Sequence, residues 1–178
     1  MAMFDPAKAK TDNANRGIPS GEYLLAIKSF ERKTSKAKKP YLHCRIVVIA
    51  GAAKKRSFFD NISLDTENSG AMFRLGILAE QCGVEQAFDL EKDADIHAAL
   101  VGRPFKAKLS LKHENGYANN GIERYVTGDK VTQTERKVME EWTIENAEQE
   151  DFDNTGGDRD GHGGDDDAPP PDDSDIPF

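Results

Sequence analysis

At 178 residues the chain has room for one domain of ordinary size and a tail. Its 24 basic and 32 acidic residues leave a net charge of −8, which taken as an average argues against nucleic acid, and its two cysteines and four histidines lack the spacing of a zinc site. No stretch approaches the roughly 18 apolar residues of a membrane span, and the N-terminus lacks a secretory signal pattern, so a cytoplasmic protein with no membrane partner is expected.

The average charge conceals a division. Residues Glu145–Phe178 hold thirteen acidic residues against one basic, Arg159, a net −12 that leaves +4 on residues 1–144. A mildly basic body with a strongly acidic tail is the asymmetry of a nucleic-acid binder carrying an interaction arm.

Residues 1–19 are polar and read as a flexible arm. The first strand, Gly21–Phe30, alternates with Tyr23, Leu25 and Ile27 on one face. A loop with five cations follows: Arg32, Lys33, Lys36, Lys38 and Lys39. The second strand, from Tyr41 to about Ile49, sorts into Leu42, Cys44, Ile46 and Val48 toward a core and Tyr41, His43 and Arg45 away from it. Ala50–Ala53 is a hairpin connection, and Lys55–Ile62 is a third strand whose register the pattern leaves open.

From Thr66 to Cys82 the period changes. Met72, Leu75, Leu78, Ala79 and Cys82 recur at helical steps and Gly83 supplies a left-handed stop, so a helix packed by one face is expected. A shorter helix is read over Glu91–Leu100. The fourth strand, Arg103–Lys112, sets Phe105, Ala107, Leu109 and Leu111 inward and Lys106, Lys108 and Lys112 outward. Asn115-Gly116 and Asn119-Asn120-Gly121 read as a polar turn region before a fifth strand, Ile122–Thr127. Cys44 and Cys82 are taken as core residues of a reducing compartment.

Three strands, a helix and two strands is the order of the OB-fold, a five-stranded Greek-key barrel that takes oligonucleotides on one face and in its first-to-second and fourth-to-fifth loops. The expected organisation is an arm at 1–19, an OB-fold domain at 20–128, a helical or linker segment at 129–148 with Val138, Met139 and Trp142 docking on the barrel, and a disordered acidic tail at 149–178.

Single-strand binding needs cations along the phosphates and aromatic faces for unpaired bases. The second strand offers Tyr41, His43 and Arg45 on one face, approached by the Arg32–Lys39 loop. Lys106, Lys108 and Lys112 form a second basic row, Lys54, Lys55 and Arg56 a third cluster, and Tyr117 sits in the fourth-to-fifth loop. Tyr41, Arg45 and Lys36 lead this set. The same loop also fits an ordinary solvated turn, and exposed strand lysines also fit edge protection. Tyr23, Phe30, Phe58, Phe59 and Phe105 are assigned to the core or its rim.

No catalytic signature is present. The tail aspartates lie among glycine and proline that give no rigid cage for a cation, and a phosphate-binding Gly-x-x-x-x-Gly-Lys-Ser/Thr is absent. Neither enzymatic activity nor a cofactor is expected.

Asp172-Asp173-Ser174-Asp175-Ile176-Pro177-Phe178 sets an apolar Ile-Pro-Phe after aspartates. It resembles the acidic tip of bacterial single-stranded-DNA-binding proteins. The body does not follow their pattern. Gly21-x-Tyr23, Ser35-Lys36, Gly51, Phe59-Asp60 with Ile62-Ser63-Leu64, and Gly102-Arg103-Pro104-Phe105 look instead like a family of small phage replication and recombination proteins, thought to be OB-fold single-strand binders. That likeness spans about Gly21–Tyr125.

The resemblance implies a single-stranded-DNA-binding protein, in the bacterial host cytoplasm if phage-encoded, that coats and protects single strands in replication, recombination or repair. Asp172, Asp173, Asp175, Ile176, Pro177 and Phe178 would then recruit partner enzymes with a basic pocket. The bacterial tetramer does not carry over, and a homo-oligomer remains open. Two rival readings stand: an adaptor that occupies tip-binding pockets without touching DNA, and RNA binding by the same barrel.

Overall fold

The run Leu24-Leu25-Ala26-Ile27 is buried residue after residue, where a half-solvated strand would alternate. Its neighbours explain this. In the computed structural model, which describes Asp5 and residues 17–153, this run lies in the central strand of a sheet covered on both sides at that point.

The strands are β1 (Gly21–Thr34), β2 (Pro40–Val48), β3 (Ser57–Ser63), β4 (Pro104–Glu114) and β5 (Tyr117–Tyr125). The helices are α1 (Ser69–Gln81), α2 (Asp93–Leu100) and α3 (Gln133–Asp153), with a 3-10 turn at Gly128–Lys130. All strand pairings are antiparallel and the sheet order is β3-β2-β1-β4-β5. The edge strands also approach each other, since Asp60 Oδ2 of β3 accepts a hydrogen bond from Ile122 N of β5 at 2.8 Å.

One face carries the main core. Leu25 and Ile27 of β1, Leu42, Cys44 and Ile46 of β2, Phe58 and Ile62 of β3, and Phe105, Ala107 and Leu109 of β4 pack there against Leu75 and Leu78 of α1 and Ile96 and Leu100 of α2. Helix α1 starts on Asn68, whose side chain accepts from Ala71 N at 3.0 Å. It ends in a Schellman motif, with Gly83 at φ +71° and Val84 N bonded to Ala79 O at 3.0 Å.

On the opposite face α3 covers one end of the sheet. Val138, Met139 and Trp142 pack on Leu24, Ala26 and Ile49, as the sequence led one to expect. The start of α3 is a capping box: Thr132 Oγ1 accepts from Glu135 N at 3.2 Å while Glu135 Oε2 accepts from Thr132 N at 2.8 Å.

Several boundaries differ from expectation, the last helix running to Asp153 rather than ending by 148 among them, and three others bear on the site. β1 continues through Arg32, Lys33 and Thr34, so the basic loop shrinks to the turn at 35–39. Asn119-Asn120-Gly121 is not a turn but strand, because the type I′ turn is made by Asn115-Gly116 alone, at φ 53° and 79°. The arm ends by Gly17: Ile18 is buried, and the Asn120 side chain grips its backbone with Oδ1 accepting from Ile18 N at 2.8 Å and Nδ2 donating to Ile18 O at 2.7 Å. A Cβ on Gly17 would meet Ala118 Cβ at 2.9 Å, so the chain enters against the β4–β5 hairpin where only glycine fits.

Both cysteines are buried and free. Burial pushes each thiol up to about 12, which keeps them protonated and unreactive at neutral pH. No helix among the described residues is long and apolar enough to cross a membrane.

Candidate nucleic-acid interface

Beyond the reach of α3, the outer face of β1, β2 and β3 is a three-by-three lattice fixed by register. Its rows are Ser29, Arg45 and Phe59; Glu31, His43 and Asn61; and Lys33, Tyr41 and Ser63. Alternation forces this arrangement, because Leu42, Cys44 and Ile46 of β2 and Phe58 and Ile62 of β3 occupy the inner face. A β-bulge between Ile27 and Ser29 keeps the phase of β1 matched to that of β2 across the region where Lys28 is inserted.

The centre of the lattice is aromatic. His43 and Phe59 stack with ring centroids 5.0 Å apart and planes 3° from parallel, and Phe59 is 57% exposed. His43 Nδ1 lies 2.8 Å from Asn61 Oδ1, which holds the imidazole in its plane. Arg45 is exposed beside Phe59, and Tyr41 is half-buried at the turn end. A flat aromatic surface with one cation next to it offers a π-face and a phosphate partner together.

Phe59 corrects the sequence reading, which placed it in the core or at its rim. Two consecutive aromatics in a strand must face opposite ways. Phe58, 7% exposed, takes the core side and leaves Phe59 outside.

The cations divide by their partners. Arg32 donates to Asp93 at 2.7 Å and to Leu90 O at 2.8 Å. Lys33 pairs with Glu31 at 3.1 Å, and Lys39 with Asp65 at 3.3 Å and with Glu67. The bonds to Glu67 and Asp65 raise the Lys39 ammonium above its ordinary value. Arg32 and Lys39 therefore tie the turn end of β1 and β2 to the segments that lead into α2 and α1, while Lys33 is paired within its own strand. Lys36 and Lys38 are exposed in the turn, and neither makes an ion pair among the described residues. Lys38 sits at φ +58°.

Lys106 is displaced from the proposed basic row. It points to the outer face as predicted, but α3 closes over it, leaving it 8% exposed with Nζ 2.9 Å from Glu135 Oε1, 3.3 Å from Glu22 Oε2 and 3.4 Å from Lys130 O. Its charge is consumed in fastening the helix. Lys108 pairs with Glu123 at 2.9 Å, while Lys112 and Tyr117 are exposed at the β4–β5 hairpin, Tyr117 opening β5 rather than lying in the loop. Arg56 is half-buried at the end of the β2–β3 connection. The tip residues Asp172, Asp173, Asp175, Ile176, Pro177 and Phe178 lie outside the described residues.

Among the described residues, an antiparallel five-stranded sheet, three helices and an exposed aromatic pair define a small β-rich domain. The chain belongs to the family described as protein of unknown function (DUF669), whose model matches residues 3–130. No curated protein matches it.

Proposed function

We propose that this protein binds single-stranded nucleic acid, DNA foremost, on the outer face of β2 and β3, and that it is not an enzyme. The observation that carries the reading is the exposed His43–Phe59 stack with Arg45 beside it. A base laid on Phe59 continues the stack, while Arg45 on one side and Lys36 and Lys38 at the turn meet phosphates.

An OB-type barrel is the fold behind this proposal. Three features support it: β1 pairs with both β2 and β4, α1 lies between β3 and β4 in the chain, and the Asp60–Ile122 bond draws the sheet edges together. The ligand face and the two flanking hairpins then correspond to the usual oligonucleotide surface of that fold. The Asp172–Phe178 segment would recruit basic-pocketed replication, recombination or repair partners, its aspartates steering the approach.

The test is fluorescence anisotropy of labelled single-stranded DNA, with single-stranded RNA and duplex DNA as competitors, across a salt series. Binding that weakens steeply with salt and resists duplex competitor is expected. Failure to bind any oligonucleotide would transfer the function to the tip and make the protein a partner-directed adaptor.

A further inference from the structure

Beside the lattice a cleft of about 860 Å³ opens between α3, the β1 bulge, the β2–β3 connection and the end of α2. We infer that this cleft is a second subsite of the same track, taking the sugar-phosphate and base of a single-stranded nucleic acid that has passed over Phe59. The inference rests on the reading of the lattice as a nucleic-acid surface.

Four observations converge on it. Lys28, Lys54 and Lys55 line the cleft from two separate segments, and none makes an ion pair among the described residues. With Glu145 also on the wall, the lining retains an excess of two positive charges when His97 is neutral. The two segments present their cations through irregular backbone: Lys28 is the inserted residue of the bulge, and Lys55 holds φ +73°. The wall also holds an indole, Trp142.

Continuity supplies the occupant. Outward positions on β2 run Tyr41, His43, Arg45, Val47, and Val47 lines the cleft. Arg45 and Val47 are about 7 Å apart along the strand at a rise of ~3.4 Å per residue. An extended chain lying along β2 therefore leaves the aromatic lattice and enters the cleft without turning. Anionic groups at regular spacing and a planar apolar group at each step match lysines at the mouth and an aromatic wall within.

Trp142 is the chain's one tryptophan, so its fluorescence reports on this cleft. The experiment titrates full-length protein with a 4-mer and a 20-mer of deoxythymidine, following both Trp142 emission and anisotropy of the labelled oligonucleotide. Each is repeated on Lys28→Gln/Lys54→Gln/Lys55→Asn, on Phe59→Ala, and on Asp172→Asn/Asp173→Asn/Asp175→Asn. Circular dichroism checks each fold. The inference expects saturable quenching of Trp142 by the 20-mer. It also expects the triple-lysine variant to bind the 20-mer about tenfold more weakly, with a salt slope smaller by about two to three, yet to bind the 4-mer as wild type does.

Equal 20-mer affinity in the triple-lysine variant with silent Trp142 overturns the cleft while leaving the lattice reading intact, provided that Phe59→Ala weakens both oligonucleotides. No binding by wild type overturns both. A change of Trp142 emission in the aspartate variant without DNA, coupled with no response to the 20-mer, overturns the inference by giving the cleft to the chain's own acidic segment.

Discussion

The Asp60 carboxylate on one edge strand accepts the backbone amide of Ile122 on the other at 2.8 Å, while its second oxygen accepts Asn61 N at 2.9 Å. A side chain thus stands in for a strand-to-strand bond where the backbone ladders do not meet. Asp60→Ala leaves the amide of the 7% exposed Ile122 without its acceptor. The expected loss is about 1–3 kcal/mol, with Asp60→Asn milder because an amide oxygen can still accept. Urea denaturation of the three proteins checks this, and an unchanged midpoint for Asp60→Ala would mean the edges hold by packing alone.

Phe59 and Phe58 offer a paired test of site against scaffold. Phe59→Ala is expected to leave stability within about 0.5 kcal/mol and to weaken single-strand binding by about 1–3 kcal/mol. Phe58→Ala empties a core position and is expected to lower stability by about 3–5 kcal/mol. Thermal melts together with anisotropy separate the two effects.

Lys38 holds a left-handed conformation that favours glycine. The turn around it is closed by Lys38 N to Ser35 O and Ser35 N to Lys39 O, both 2.9 Å. Lys38→Gly is expected to raise stability by about 0.5–1 kcal/mol while weakening single-strand binding and flattening its salt dependence by about one unit of slope. A variant more stable but equally tight would remove Lys38 from the interface.

The fastening of α3 is pH-sensitive. Burial pushes Glu135 up, but bonds from Thr132 and Lys106 outweigh it and hold the carboxyl below its ordinary 4.5. A lowered folded value stabilises the fold above about pH 4.5, and that contribution drains away as pH falls through the folded value. Lys106 mirrors it: burial pulls the ammonium down, Glu135 and Glu22 more than restore it, and its contribution persists below 10.5 and is lost as pH rises through the folded value. Glu135→Gln should therefore lower the melting temperature at pH 7, with the gap from wild type shrinking toward pH 3. A constant gap would show that the carboxylate's charge is not what fastens the helix.

Much of this architecture is legible in the sequence because burial there is one-sided. β2 alternates without exception between Tyr41 and Val48, and Met72 to Cys82 mark the packed face of α1, so both elements and their orientation follow from period alone. Lys106 illustrates the limit. Its place on the outer face is read correctly, yet its burial depends on a helix that arrives 27 residues later in the chain, beginning at Gln133. Asn120 misleads for a related reason: asparagine beside glycine suits a turn, but here the side chain serves as a substitute strand for Ile18. Two signals were available in the residues themselves. Thr132 and Glu135 have the spacing of a capping box, and Phe58-Phe59 cannot both face inward in a strand.

Leu24, Ala26 and Ile49 belong to the matched stretch 3–130, whereas Trp142 and the rest of the helix that shields them lie beyond it. The matched stretch and the packed unit therefore differ in extent. A fragment cut at the family boundary would present those side chains bare on a sheet surface, an adhesive patch inviting self-association.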